Sequence, residues 1–297
     1  MNPSRGPAVE GWSFEPGDEI VSGLRALDLL GGGTRYEAYL AFDEGLRCAV
    51  VAKVLRPGHT HDQAALRGLR REAEVLRSLN HPGIARLLGD RLEGERPHLI
   101  LELVDGPRLS TMIRRFGRTD VEQVLSLAVE LAAPLHYLHA RGFVHLDVKP
   151  KNVILGAPPR LIDLSIARSI DEAARLTDTI GTDAFMAPEQ CRPGDPDAVG
   201  PAADVWGLGV TLYQALSGEL PFARGAEEGN APEDRFPQLV TPPTPLPDGF
   251  PQVLVEVITA ALASRPDDRP TPGAIADAVE PLLARPKRVV LKALRPS

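Results

Sequence analysis

Cysteine is scarce in this sequence. Only Cys48 and Cys191 occur, too few for a disulfide framework and far from any metal-ligand spacing. A reducing compartment is therefore expected, and with it a cytoplasmic location. Long apolar runs are missing too. The longest, Val253 to Ala263, is interrupted by Glu256 and falls short of the ~18–20 residues that span a bilayer. No apolar leader core occurs between Met1 and Gly17, so no membrane span is expected. Positive charge is not in excess. The net charge of -7 argues against a nucleic-acid partner, whose footprint is basic. Internal repeats are not visible. What is present is a chain of 297 residues, 43% apolar, enough for the core of one large domain or two small ones. Composition leaves the oligomeric state open.

The chain divides by pattern. Residues 1–20 are polar and rich in Gly and Pro, and read as a flexible segment. From Leu24 to Leu55 the pattern is strand-like. Cys48 to Leu55 is apolar at odd and even positions alike, the mark of a strand covered on both faces. Ala65, Leu69, Glu72, Leu76 and Leu79 recur at helical spacing within residues 62–79, and Asn80-His81-Pro82 stops that helix. Residues 97–104 form another apolar strand. Helices dominate thereafter. Thr119-Asp-Val-Glu122 has the form of a capping box, opening a helix to about His139 that Pro134 should kink or weaken. Ala203 to Leu216 is apolar nearly all round and reads as a buried helix ended by Gly218. Residues 229–251 read as a proline-rich surface loop. Helices over Pro251–Ser264 and Thr271–Leu283 follow. Strands first and helices afterwards predict an α+β molecule of two lobes, β-rich over 21–104 and helical over 105–284. The cleft between them is the default ligand site.

Two charges look misplaced. Lys53 lies inside the doubly apolar strand, and Glu72 lies on the apolar stripe of the next helix. Burying either alone is costly, so the simplest solution is that they pair. The alternative is that Lys53 snorkels and Glu72 lies at the wet edge of the stripe. Gly31, Gly32 and Gly33 join two strands, where backbone N–H groups can approach phosphates. By itself a triple glycine is equally a plain turn. The strongest feature is His145-Leu-Asp-Val-Lys-Pro-Lys-Asn152, followed by Asp163-Leu-Ser165. Asp147, Lys149, Asn152 and Asp163 supply what phosphoryl transfer needs: a carboxylate to accept a hydroxyl proton, a cation for the γ-phosphate, and oxygen ligands for Mg²⁺.

With these residues in order, the chain resembles the bacterial eukaryotic-like (Hanks-type) serine/threonine protein kinases over about residues 22–284. The resemblance implies the two-lobed kinase fold, ATP and Mg²⁺ as cofactors, and serine or threonine hydroxyls of proteins as acceptors, the chain itself included. Lys53 matches the strand lysine and Glu72 its helix partner. Asp147 matches the catalytic aspartate, with Lys149 and Asn152 after it, and Asp163 the metal-binding aspartate. Gly181-Thr182 and Ala187-Pro188-Glu189 close the activation segment. Asp204 matches the brace of the catalytic loop, and Arg269 the partner of Glu189. The resemblance also assigns an adenine pocket. Leu101 is the gatekeeper, backbone groups of Glu102 and Val104 bind the adenine edge, and Ala38, Val51 and Ile154 cover its faces. Leu76, Leu87, His145 and Leu164 form the apolar column linking the lobes. Lys149 and the Gly-Thr pair point to serine/threonine rather than tyrosine kinases.

Three departures stand out. Tyr36 occupies the third loop-glycine position, so the loop is expected to be open, or else Tyr36 closes over the phosphates. Leu146 replaces the arginine that meets a phosphorylated activation loop, so basal activity is expected not to depend on that phosphorylation. Leu164 and Ser165 replace phenylalanine and glycine after Asp163, and serine should hinder a flip of that aspartate. Together the departures leave a nucleotide-binding pseudokinase, acting as a regulatory module, as the alternative; a kinase-like small-molecule phosphotransferase is opposed by the Ala-Pro-Glu and arginine pair. Residues 285–297 carry five basic residues and no acid. They read as a solvated tail or, more sharply, as a docking or autoinhibitory segment.

Overall fold

The computed structural model describes residues 10–194, 197–226 and 231–283; the basic tail from 285 lies outside them. The first lobe is a six-stranded antiparallel sheet: β1 (Glu19–Val21), β2 (Leu24–Gly32), β3 (Tyr36–Asp43), β4 (Cys48–Leu55), β5 (Leu87–Arg91) and β6 (His98–Glu102), in the order β1-β2-β3-β4-β6-β5. Between β4 and β5 runs α1 (Gln63–Ser78), whose N-cap Asp62 accepts a hydrogen bond from the Ala64 N–H. The predicted stripe is the buried face: Ala65, Leu69, Glu72 and Leu76 all turn inward.

β4 is covered on both faces, as its composition requires. Lys53 and Leu55 look toward α1 and the cleft. Val50, Ala52 and Val54 look the other way, into a cluster with Ile20, Leu24, Tyr39 and Ala41. The cover on that second face comes from the segment expected to be loose. Trp12 and Phe14 pack on the cluster, and Trp12 Nε1 donates to the Leu55 carbonyl at 2.7 Å. Residues 10–17 are therefore part of the lobe. Their polar composition conceals two aromatic anchors, which bury the apolar area that an uncovered sheet face would expose.

The second lobe is built on α2 (Leu109–Phe116), α3 (Val121–Ala140) and α6 (Pro201–Ser217), with the short pairs β7 (Phe143–Val144) with β10 (Arg168–Ser169) and β8 (Val153–Ile154) with β9 (Arg160–Leu161) at its upper edge. Single helical turns α4 (Ile170–Ala173), α5 (Pro188–Cys191) and α7 (Pro232–Arg235), and then α8 (Gln252–Ala261) and α9 (Pro272–Val279), complete it. α6 is buried on nearly every side and ends at Gly218, φ +84°, where a Cβ would lie 2.2 Å from the Gly117 carbonyl oxygen. None of the described helices is long and apolar enough to cross a membrane.

One expectation about α3 changes. The capping box is not formed: Asp120 is the N-cap, with no side-chain cap. Thr119 instead donates its N–H to the Ala215 carbonyl at the end of α6, at 2.7 Å. That tertiary bond delays the helix by one residue and leaves Thr119 Oγ1 buried without a partner. Pro134 does not end the helix. It necessarily forgoes one helical hydrogen bond, yet it is buried and backs onto Gly83, where an added Cβ would meet its ring at 3.0 Å.

Candidate active site

The cleft brings together residues from both lobes. Lys53 Nζ donates to both carboxylate oxygens of Glu72, each at 2.8 Å, and to Asp163 Oδ1 at 2.7 Å. The expected pair thus exists, and Asp163 makes it a triad. Burial works against the Lys53 charge, but Asp163 and Glu72 outweigh it and hold the ammonium above the usual lysine range. Burial also pushes Asp163 upward. Lys53, a hydrogen bond with the Ser165 side chain and nearby His145 more than reverse this, so its carboxyl lies well below the normal range. For Glu72, burial dominates and raises the pKa despite the ammonium beside it.

The loop after β7 carries the remaining groups. Asp147 Oδ1 accepts from the Thr182 hydroxyl at 2.7 Å, and Oδ2 from Lys149 Nζ at 2.5 Å and Asn152 Nδ2 at 3.0 Å. Lys149 also donates to Thr182 Oγ1 at 2.6 Å. Asp147, Lys149, Asn152 and Thr182 thus form one hydrogen-bonded set across 35 residues of chain. The loop is braced from below. Asp204 accepts the backbone N–H groups of His145 (2.8 Å) and Leu146 (2.7 Å) and a bond from His139 Nε2 (2.8 Å). Burial would raise the Asp204 carboxyl, but His139 and these N–H groups lower it overall. Leu146 and Asp163 both sit at φ +66°, a strained conformation for residues with a Cβ. The Asp204 bonds hold the first. The Lys53 bond holds the second.

The glycine-rich turn is tight. Gly31 takes the left-handed conformation at φ +132°. At Gly32 a Cβ would lie 2.5 Å from the Tyr36 carbonyl oxygen, and Gly33 N–H closes the turn on that same oxygen at 3.0 Å. Tyr36 neither opens this turn nor covers it. It is the first residue of β3, paired with Leu55, and its backbone has no positive φ. The pleat directs its ring under the sheet, where its hydroxyl donates to the Ala65 carbonyl of α1 at 3.2 Å and Lys53 Nζ lies 5.0 Å from the ring centroid. The residue is a strut between the turn and α1. Tyr36→Gly is expected to loosen α1 and to weaken nucleotide binding several-fold, as the loss of a roughly 1–2 kcal/mol contact would; titration with a nucleotide checks it. Tighter binding would show that the ring obstructs the site.

Ala38 and Val51 are half-buried and Ile154 buried at the inner cleft. Ala38 pairs with Lys53 and Val51 with Leu101. The Glu102 N–H is engaged by the Arg86 carbonyl at 2.8 Å, so anything its backbone offers a ligand comes from the carbonyl. Its carboxylate is clamped by Arg86 and Arg160. Val104 lies just beyond β6. Leu76, Leu164 and Leu87 meet in one apolar cluster, and His145 is buried with Nε2 unpartnered.

Sequence reasoning missed one residue of weight. Gln190, next to Glu189, donates from Nε2 to the carbonyls of Leu146 and Ile180, both at 3.0 Å, and accepts the Ala187 N–H at 3.1 Å. It stitches the loop after β7 to the segment 163–189. No periodicity flags it, because its partners are backbone groups far away in sequence.

Comparison with known proteins agrees with this geometry. The chain matches the protein kinase domain family over residues 24–280. It is 34% identical over 273 residues to the serine/threonine-protein kinase PknA of Mycobacterium tuberculosis, covering 88% of this chain and 62% of that protein. It is 33% identical over 255 residues to the serine/threonine-protein kinase PknB of Mycobacterium leprae, covering 82% of this chain and 40% of that protein. The chain therefore spans about two-fifths to three-fifths of the length of these relatives.

Proposed function

This chain belongs to the protein kinase domain family, and on that premise we propose that it transfers the γ-phosphate of ATP to serine or threonine hydroxyls of proteins, itself among them. The observation that carries the reading is the single hydrogen-bonded set of Asp147, Lys149, Asn152 and Thr182. Asp147 is positioned to orient and deprotonate an acceptor hydroxyl, with Lys149 beside it for the charge of the moving phosphoryl group. Asn152 and Asp163 are the residues to hold Mg²⁺. They offer only oxygen ligands, and Asp163 is strongly biased to the ionised form, the donor chemistry a hard cation prefers. When bound, the ion supplies neutralisation of phosphate charge. Lys53 has its three N–H groups engaged by Glu72 and Asp163. Engaging a phosphate oxygen therefore requires Lys53 to release one of these three bonds, and the two to Glu72 allow it to give one up and stay paired.

The pseudokinase alternative draws on Tyr36, Leu146 and Ser165. Tyr36 is a strut to α1 and Leu146 a core side chain, and Ser165, two residues after Asp163, favours the ionised form of that carboxyl. The catalytic set itself is complete. Incubation of the chain with labelled Mg-ATP and a serine- and threonine-rich protein is the test. Phosphoserine or phosphothreonine supports the kinase reading. Retained Mg-ATP binding with no transfer favours the regulatory module.

The same reading includes independence from activation-loop phosphorylation. Leu146 lies in the apolar core of the second lobe, against which Ile170, Leu176, Ile180 and Phe185 of segment 163–189 also pack. Leucine has no donor or charge for a phosphate. Gln190 and the Glu189–Arg269 pair hold the segment without one. Thr177 and Thr179 are exposed. A Thr177→Ala, Thr179→Ala double variant is expected to keep its activity within about threefold, since exposed polar substitutions away from such features cost little. Collapse in an assay on an exogenous substrate would refute it.

A further inference from the structure

Residues 10–23 precede the stretch matched to the kinase family, residues 24–280, yet their contacts lead straight to the glycine-rich turn. The link runs through a buried carboxylate. Glu37, only 4% exposed, accepts the Trp12 N–H at 2.9 Å, the Tyr39 hydroxyl at 3.2 Å and Arg56 Nη1 at 3.1 Å. Arg56 then reaches in two directions. Its Nη1 also donates to the Glu10 carbonyl at 3.2 Å, and its Nε donates to the Gly33 carbonyl at 2.8 Å. Its backbone N–H meets the Arg35 carbonyl at 2.9 Å. Gly33 and Arg35 flank Thr34 at the tip, so one residue grips both legs of the turn and the N-terminal segment at once.

The far side of the segment is equally anchored. Trp12 stacks on Phe14 with centroids 5.8 Å apart, and Phe14 meets Tyr39 edge-on at 5.3 Å. The Arg96 guanidinium lies 5.0 Å from the Trp12 ring and 5.1 Å from the Phe14 ring. The fit is close. A Cβ at Gly11 would come within 2.4 Å of Glu37 Oε1, and one at Gly32 within 3.2 Å of Arg56 Nη2.

We propose that residues 10–14, Glu37 and Arg56 form a clasp that pre-orders the glycine-rich turn for nucleotide, so that nucleotide affinity depends on the seating of the N-terminal segment. A turn rich in glycine has the most backbone freedom to lose when it closes on phosphates. Order already present in the free protein lowers that cost and tightens binding. Arg56 and Trp12 are positioning residues in this scheme. The inference rests on reading the turn as the phosphate cover.

The test uses the full chain and compares Arg56→Met, Trp12→Ala and the double variant with the wild type. Kd for Mg-ATP, KM for ATP, kcat and thermal stability are measured for each. Either single change is expected to raise Kd and KM for ATP about three- to tenfold, the range set by ordering one or two side chains, while kcat changes by less than about twofold. The double variant should be no worse than the poorer single one by more than about twofold, because both changes open the same clasp. A fall in thermal stability with Kd unmoved would reduce the contact to packing and overturn the proposal, as would fully independent effects. If the wild type binds Mg-ATP and transfers phosphate while the variants bind equally well, only the clasp fails. If the wild type binds no nucleotide, the kinase reading fails and the clasp with it.

Discussion

Asp147→Asn is expected to lower phosphoryl transfer by about three orders of magnitude, within the 10²–10⁴-fold attributed to a positioned general base. The substitution preserves shape and removes charge. In the native loop the carboxylate accepts three side-chain bonds, from Thr182, Lys149 and Asn152. An amide offers one oxygen and one NH₂: with the NH₂ toward Lys149 and Asn152 donor faces donor, and with it toward Thr182 the hydroxyl must turn from donor to acceptor. It also has no capacity to take a hydroxyl proton. The Asp204 brace acts on the backbone of His145 and Leu146 and is untouched, so the fold and Mg-ATP affinity should persist. Single-turnover measurements at saturating Mg-ATP, with nucleotide affinity measured alongside, check both halves. A wild-type rate would show that this carboxylate does not orient the acceptor.

The largest effect on stability is expected at Arg269. Its side chain is fully buried against Glu189. All five of its N–H groups are satisfied: Nη1 by Glu189 at 2.6 Å and the Ala202 carbonyl at 2.9 Å, Nη2 by Glu189 at 2.8 Å and the Ser264 carbonyl at 3.0 Å, and Nε by the Ala263 carbonyl at 2.8 Å. The guanidinium also lies 5.1 Å from the Trp206 ring centroid. Arg269→Ala leaves Glu189 as an unpaired buried charge and strands three carbonyls. The expected loss is about 3–5 kcal/mol, read as a lower denaturant midpoint. Arg269→Lys should recover only part of it, because an ammonium has three donors and no planar fork. A loss below about 1 kcal/mol would mean that the lobe repacks around the site. Since Glu189 shares the single turn α5 with Gln190, activity should fall along with stability.

The site was legible wherever a residue broke its local pattern. Lys53 and Glu72 were charges in apolar settings, and burial leaves such charges few options besides each other. The cluster from Asp147 to Asn152 was legible because its members lie within one short loop. Other features were not. Thr119 has the sequence of a cap, but a bond to the end of α6 outcompetes it. Tyr36 could be read as a gap in the glycine pattern, but where its ring goes depends on the pleat of β3 and the distance to α1. Gln190 and Arg56 act on backbone carbonyls, which every residue carries and no pattern singles out.

By itself, then, the sequence determined the lobed α+β architecture, the major helices, and the identity of the groups that meet in the cleft. The lobes and helices follow from the period of apolar residues, Lys53 and Glu72 from charges that cannot be buried alone, and the remaining groups from the order of motifs that carries the resemblance to the kinase family. It also determined that β4 needs a cover on each face. Only the tertiary structure decided that residues 10–14 supply one of those covers, that Asp163 shares Lys53 with Glu72, and that Leu146 and Asp163 are held at positive φ. The reason is one of range. Periodicity and propensity act over a few residues, whereas these features join groups far apart in sequence through directional bonds, and such bonds exist only once the lobes have packed.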